Sequence, residues 1–260
     1  MGVRYVKSIR DRALKGEMLC GTFLNLGSSL TAEIAGKVGL DWLLIDMEHG
    51  AGNRNELLFQ LQAIESSPAV PLVRIAWNDP VIFKQVLDLG ASGIMVPYVQ
   101  TAEEARRAAA SLRYPPAGMR GVAVMNRACG FGPGFDEYFA TANSKLLTML
   151  QIESHDAIQN IEEIAAVEGA DVLFVGPMDL SVGLGVPQQW EHPTLRKAIA
   201  KVVNACHRAG KIAGTIISDE TQLERAVADG FTMLAYGSDG AVMVKGMRAI
   251  ADSFQRHGRR

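Results

Sequence analysis

Four apolar runs in this sequence each end in residues suited to metal or carbonyl chemistry: DWLLIDMEHG (41–50), PLVRI (71–75), LLTMLQIES (146–154) and VLFVGPMDLS (172–181). If these runs are neighbouring parallel strands, Asp46, Glu48, His49, Arg74, Glu153 and Asp179 leave from one rim, the end of an α/β barrel where enzymes do their chemistry. Glu153 and Asp179 follow their strands directly, so their carboxylates could meet above the barrel opening. Two protein oxygens, with water and substrate completing the shell, suit a hard cation such as Mg²⁺ or Mn²⁺. Taken singly, either acid would serve as well as a helix N-cap.

His49 stands three residues after Asp46, close enough for the carboxylate to orient its imidazole for proton transfer near neutral pH. Glu48, between them, is expected to point elsewhere. Arg74 ends a strand that should be deeply buried, and a guanidinium there needs a partner. A bound carbonyl oxygen or carboxylate would serve, and so would an internal ion pair with an acid such as Glu153. Gly176, Pro177, Met178 and Asp179 combine a tight turn with a helix start, whose free N–H groups could receive a small carboxylate.

Several chemistries are disfavoured. Imine formation needs a lysine at the carboxyl end of a strand, whereas Lys145 and Lys211 begin theirs. The five histidines show no zinc spacing. There is no dinucleotide fingerprint and no P-loop. Net charge is −2, with a short basic tail at 256–260 that reads as a solvated terminus, so nucleic acid is not an expected partner. The three cysteines are far apart, which fits a reducing cytoplasm. No signal peptide or membrane span is apparent, and Val6 breaks the myristoylation pattern that Met1-Gly2 begins.

The elements that must position these residues alternate along the chain. After an amphipathic opening at 8–14, strands are expected at 18–25, 41–46, 71–75, 92–98, 145–152, 171–176, 211–217 and 231–236. Helical patterns separate them, several closing on a glycine (Gly39, Gly90, Gly169, Gly210, Gly230). Near-continuous apolar strands imply burial on both faces, and eight βα repeats favour a single (β/α)8 TIM barrel over 1–260, with an open doubly wound sheet as runner-up. One segment breaks the rhythm: 113–135, with three Pro and five Gly. It is expected to lie over the rim or reach a neighbouring subunit.

As an ordered set, DWLLIDMEHG, PLVRI, LDLGASGIMVPYVQTAEEA, RYPPAGMRG, LQIES and FVGPMDLS resemble the HpcH/HpaI-type metal-dependent (class II) pyruvate aldolases. That group includes 4-hydroxy-2-oxoheptanedioate aldolase and 2-dehydro-3-deoxyglucarate aldolase, and the resemblance runs from Gly21 through Tyr236. It implies a barrel of the phosphoenolpyruvate/pyruvate-binding type, a homo-oligomer (hexamer or trimer), and cleavage of a 4-hydroxy-2-oxoacid into pyruvate and an aldehyde. By position, Glu153 and Asp179 resemble ligands of Mg²⁺ or Mn²⁺ (Co²⁺ also being accepted), Arg74 the enolate-stabilising arginine, and His49 with Asp46 the base dyad. Gln151 and the Gly176-Pro177 backbone resemble pyruvate-binding positions, and Asp88 and Arg127 positions near the site or a subunit boundary. Met178 and Phe23 depart from residues common near the aldehyde pocket, which leaves the acceptor aldehyde open. Oxaloacetate decarboxylation and macrophomate-synthase-like enolate chemistry are the alternatives, followed by a barrel kept only for binding.

Overall fold

The computed structural model describes residues 7–258, so Met1-Gly2, Val6 and the last two arginines of the basic tail lie outside the described residues. Eight strands, β1 (Leu19–Leu24), β2 (Trp42–Asp46), β3 (Val70–Arg74), β4 (Gly93–Val96), β5 (Leu147–Ile152), β6 (Val172–Val175), β7 (Ile212–Ile217) and β8 (Met233–Ser238), pair in parallel and in chain order to close a barrel. The runner-up open sheet is thereby excluded. Strands β2 to β6 are buried at every residue, as strands covered on both faces must be.

Side-chain alternation sorts each strand into two cores. Leu19, Phe23, Trp42, Leu44, Val70, Leu72, Leu147, Met149, Val172 and Phe174 fill the barrel interior. Leu43, Ile45, Val73, Leu150, Leu173 and Val175 face the surrounding helices. The interior interleaves large and small residues: a Cβ at Gly21 would come within 2.3 Å of the Trp42 ring, so glycine there makes room for the indole.

The helices begin where their caps predict. Helix α3 (Arg54–Glu65) and α5 (Ala102–Leu112) open on capping boxes, Asn53 with Glu56 and Thr101 with Glu104. Helix α4 (Pro80–Leu87) has Asp79 as N-cap and Pro80 at its start. Helices α10 (Pro193–Ala209) and α11 (Glu220–Asp229) end on left-handed Gly210 and Gly230. The expected opening helix is α1 (Arg10–Leu14), and α2 (Ser29–Lys37) follows β1.

Three expectations need correction. The helical pattern at 155–169 is interrupted at Asn160 into α7 (His155–Gln159) and α8 (Ile161–Ala165). The 113–135 segment is followed by an unanticipated helix, α6 (Phe135–Lys145), and holds a short 3₁₀ turn at Arg127–Cys129. It also does not lie over the rim of its own barrel. It joins the end of α5 to the start of α6 and packs against the distal ends of α3 and α4, through Arg120 to Asp88 at 2.8 Å and Arg127 to Glu65 at 2.5 Å.

Helix α9 (Pro177–Gly183) starts directly after β6, as expected. The last helix, α12 (Asp239–Arg256), buries none of its residues and exposes Val242, Met247, Ile250 and Phe254. Next to it, the outward positions Cys20 on β1 and Tyr236 on β8 are exposed, unlike their counterparts on β2 to β6.

Candidate active site

The inward parity that fills the barrel interior also delivers the site. Continuing the interior rows upward gives Phe23 on β1, Asp46 on β2, Arg74 on β3, Gln151 and then Glu153 from β5, and Gly176 after β6. Asp46 and Arg74 are register partners across β2 and β3, so their side chains leave the sheet side by side. The guanidinium donates to both carboxylate oxygens of Asp46, Nε to Oδ1 at 2.9 Å and Nη2 to Oδ2 at 2.7 Å. Its Nη1 lies 3.0 Å from Glu48, and its Cζ sits 5.2 Å from the Phe23 ring centroid.

Arg74 is therefore held by two carboxylates and an aromatic ring, with two of its five N–H groups left for a ligand. The partner among the acids is Asp46 with Glu48, not Glu153. Burial opposes ionisation of Asp46, but hydrogen bonds and charge from Arg74, helped by the Glu48 and His49 backbone N–H groups, hold its carboxyl below the usual range.

That geometry corrects the expected dyad. Asp46 accepts from Arg74 and from the backbone N–H of His49, so it is not available to orient the imidazole. The His49 ring is 71% exposed, and the nearest carboxylate is Glu48, 3.8 Å from Nε2. Glu48, expected to point elsewhere, faces into the cluster. Burial raises its carboxyl, and the charges of Asp46 and Asp179 add to this against the opposing pull of Arg74 and His49. Glu48 lies in the turn after β2, where strand parity no longer applies, so spacing gave no signal for its inward aim.

Glu153 is 4% exposed. Its Oε1 accepts from the backbone N–H of Tyr98 at 2.9 Å, and its Oε2 from Gln151 Nε2 at 2.5 Å. Tyr98 adopts a left-handed φ of 55°, an uncommon state for a non-glycine residue that aims this N–H at the acid. Sequence reasoning did not find it. Gly176 is required by contact: a Cβ there would stand 2.5 Å from Glu153 Oε2. Burial pushes the Glu153 carboxyl up to about 7, and the charges of Asp179 and Glu48 add to the shift despite Tyr98 and Arg74.

Asp179 is exposed in the first turn of α9 and lines the same cavity as Asp46, His49, Arg74, Gln151, Pro177 and Met178. Among the described residues no three His, Cys, Asp or Glu side chains are grouped to hold a metal ion. The acids nevertheless suit one: a buried carboxylate facing like charges is relieved by a cation, and the Gln151 Oε1 beside it is buried without a partner. Among the described residues no lysine lines the cavity.

Asp88 and Arg127 do not join this site. Asp88 accepts from Arg120, and Arg127 donates to Leu89 O at 2.8 Å and to Glu65, all on the side of the barrel away from the rim of this chain.

A closed parallel barrel with an arginine and an acid cluster at its carboxyl rim is the architecture of an enzyme that stabilises developing negative charge there. Residues 19–246 match the HpcH/HpaI aldolase/citrate lyase family, and the chain belongs to that family of lyases. It is 40% identical over 91% of its length to a 5-keto-4-deoxy-D-glucarate aldolase of Shigella dysenteriae, covering 92% of that protein. It is 38% identical over 95% of its length to a 4-hydroxy-2-oxo-heptane-1,7-dioate aldolase of Salmonella dublin, covering 94% of that protein. Among solved structures, an HpcH/HpaI aldolase/citrate lyase family protein from Burkholderia cenocepacia superposes with a TM-score of 0.90 at 34% identity. That match covers 95% of this chain and 98% of the other.

Proposed function

We propose that this chain is a divalent-metal-dependent pyruvate aldolase that cleaves a 4-hydroxy-2-oxoacid into pyruvate and an aldehyde. The observation that carries the reading is the acid-rich rim around Arg74, above all Glu153, sealed from solvent, its carboxyl pushed up to about 7 by burial and by the charges of Asp179 and Glu48. Glu153 and Asp179 would hold the ion, Mg²⁺ or Mn²⁺ with Co²⁺ as a substitute, which when bound supplies Lewis acidity toward the substrate's carboxylate and 2-oxo group.

The chain's own residues do the rest. The two unused N–H groups of Arg74 donate to the oxygen that gains charge as the enolate forms, a contact worth about 3 kcal/mol of barrier. Asp46 and Glu48 keep the guanidinium from following the substrate. Gln151 fixes the Glu153 carboxylate and turns its own carbonyl to the site. Gly176 and Pro177 leave the backbone close to the pyruvate end. His49, at the open side, takes the proton of the 4-hydroxyl, the C3–C4 bond breaks, and C3 is then protonated.

Exchange of the pyruvate C3 protons in deuterium oxide tests this without knowledge of the aldehyde. Metal-loaded protein should exchange them and chelated protein should not; exchange that survives exhaustive chelation would remove the metal role. Covalent trapping by borohydride with pyruvate would instead indicate a lysine.

The same reading includes a cytoplasmic location and assembly as a homo-oligomer of three or six copies. Three free cysteines accord with the first, and none of the described helices is long and apolar enough to cross a membrane. For the second, the unburied apolar residues of α12 and the uncovered outer positions of β1 and β8 are surfaces that a second copy would cover. A solution mass of one 28.0 kDa copy by light scattering would refute the assembly.

A further inference from the structure

The rim has a polar side that the acid cluster leaves unused, where β8 meets β1. Leu19, Gly21 and Phe23 are the inward positions of β1, so Asn25, the next residue of that parity, leaves at the rim. It lines the same cavity as Phe23 and Arg74. Two residues of extended chain set it about 7 Å further up than Phe23, whose ring lies beside the Arg74 guanidinium. With Arg74 on the oxygen of the substrate's C2, Asn25 stands beside the carbons beyond C4, those that leave as the aldehyde.

Asn25 is held in place on three counts. Its backbone N–H donates to Asp239 Oδ1 at 2.8 Å, and its carbonyl accepts from the Ala51 N–H at 2.9 Å. Its side-chain oxygen accepts from the Gly240 N–H at 3.3 Å. A Cβ at Gly240 would come within 2.8 Å of that oxygen, so glycine there makes room for the amide. An amide held by its oxygen has its Nδ2 group left to offer a ligand. Among the described residues that group has no hydrogen-bond partner.

Ser238, the register partner of Phe23 on β8, lines the cavity too. Its Oγ accepts from the Ala241 N–H at 3.2 Å and keeps its hydrogen and a second lone pair. The hydroxyls on the β7 side differ. Thr215 gives its hydrogen to the Val175 carbonyl at 3.2 Å, and Ser218 gives its own to Gln222 Oε1 at 3.1 Å. Charge then selects the ligand. The Asp239 carboxylate accepts from Asn25, from Gly240 at 2.9 Å and from Thr31 at 2.7 Å, and it already balances the positive end of α12. A carboxylate entering here would meet that like charge. A hydroxyl adds no charge and, as donor and acceptor together, satisfies both Asn25 Nδ2 and Ser238 Oγ.

We propose that Asn25 is a specificity-determining residue for the aldehyde half of the substrate, donating through Nδ2 to a hydroxyl on the carbon next to the aldehyde carbonyl. Ser238 completes the contact, and the assignment rests on the pyruvate-aldolase reading above. The favoured substrates are 4-hydroxy-2-oxoacids that carry a further hydroxyl at C5. In their cleavage the C3–C4 electron pair stays on C3 as the enolate of pyruvate, the 4-hydroxyl gives up its proton, and C4 leaves as a 2-hydroxyaldehyde. C3 then gains a proton, so the step is redox-neutral and needs no co-reactant.

The test is aldol addition of pyruvate to glycolaldehyde and to propanal, which has a methyl in place of the hydroxyl, by the full, Mg²⁺-supplemented chain. The ratio of kcat/KM values, glycolaldehyde over propanal, should fall about fivefold in Asn25→Leu, the scale of one hydrogen bond that the hydroxylated aldehyde alone makes. Asn25→Ala should lower it equally and serves if Asn25→Leu does not fold. Comparing ratios cancels the intrinsic reactivity of the two aldehydes and any general loss from a disturbed rim, which would lower both rates together. A ratio that falls by less than about twofold in the folded variants overturns the assignment. Proton exchange of pyruvate alone separates the two levels: its absence in the metal-loaded wild type sinks the aldolase reading and the role of Asn25 with it. Exchange with an unmoved ratio sinks the role of Asn25 only.

Discussion

Two buried arginines, Arg74 at the rim and Arg120 on the side of the barrel away from it, have similar environments on paper and opposite meanings. Both are nearly sealed from solvent and both donate to an aspartate, Asp46 in one case and Asp88 in the other. Arg120 is enclosed between the rings of Tyr114 and Tyr138, 4.6 and 5.3 Å from their centroids, and also donates to the Tyr138 hydroxyl at 2.8 Å. Its charge is matched where it lies, and burial raises both tyrosine hydroxyls above their usual range. Arg74 instead looks onto a cavity and interacts with three acids, Asp46, Glu48 and Glu153, the last two of which also feel the charge of Asp179. A buried charge whose counter-charge and ring partners all lie within the protein, with no cavity beside it, speaks for architecture. A cluster with surplus charge of one sign, opening on a cavity, speaks for a missing ligand.

The largest effect should separate the two arginines directly. Arg74→Ala is expected to cost about a thousandfold in pyruvate proton exchange per folded molecule, the scale of losing an oxyanion donor. Arg120→Ala should leave a cavity between the Tyr114 and Tyr138 rings and unpair the half-buried Asp88, costing about 2–4 kcal/mol of stability, with activity per folded molecule retained. If thermal unfolding and exchange assays gave the same profile for both variants, the distinction would collapse.

Glu153 offers the next test, through pH. Its folded pKa of about 7 lies above the unfolded carboxylate value, so between those two values the folded state holds a proton that the unfolded state has lost. Stability from this group is therefore present at low pH and lost as pH rises toward and past 7, on the order of 3 kcal/mol in all. In chelator, Glu153→Gln should abolish that loss, and unfolding curves of the two proteins should converge at pH 5 and diverge at pH 8. Parallel curves would contradict the assignment.

A smaller change should sharpen the picture of surplus charge. Glu48→Gln removes one like charge facing Glu153, so the pH of the same stability loss should fall by about half a unit. The smallest effect is expected at Met178, half-exposed above the cavity. Met178→Ala should change aldehyde preference a few-fold while leaving the fitted KM for pyruvate within about twofold, since removing a few apolar contacts is worth about 1 kcal/mol. A larger shift in the pyruvate KM than in aldehyde preference would place Met178 at the wrong end of the substrate.

Much of this was legible in residues alone, and the failures share one cause. The eight strands could be read because a strand buried on both faces is a short apolar run, and its last inward residue follows from parity. That rule places Phe23, Asp46, Arg74, Gln151 and Glu153 on one rim. It stops where the strand stops. Glu48, His49 and Tyr98 lie in turns, so the inward aim of Glu48, the exposure of the imidazole and the left-handed Tyr98 that presents its N–H to Glu153 had no periodic signal. Helix α6 was missed because the Pro- and Gly-rich run before it masked a weak pattern.

The sequence by itself determined the barrel, the order of its strands and which chemistry-bearing residues share the carboxyl rim, because burial and alternation are local properties of each segment. Tertiary structure alone decided the pairings: that Asp46 meets Arg74 rather than His49, that Glu153 is buried where the charges of Asp179 and Glu48 reach it, and that the 113–135 segment packs away from the rim. Those depend on the register between strands and on the distance between segments far apart in the chain, where electrostatic and packing energies are set by positions that no single stretch of sequence carries.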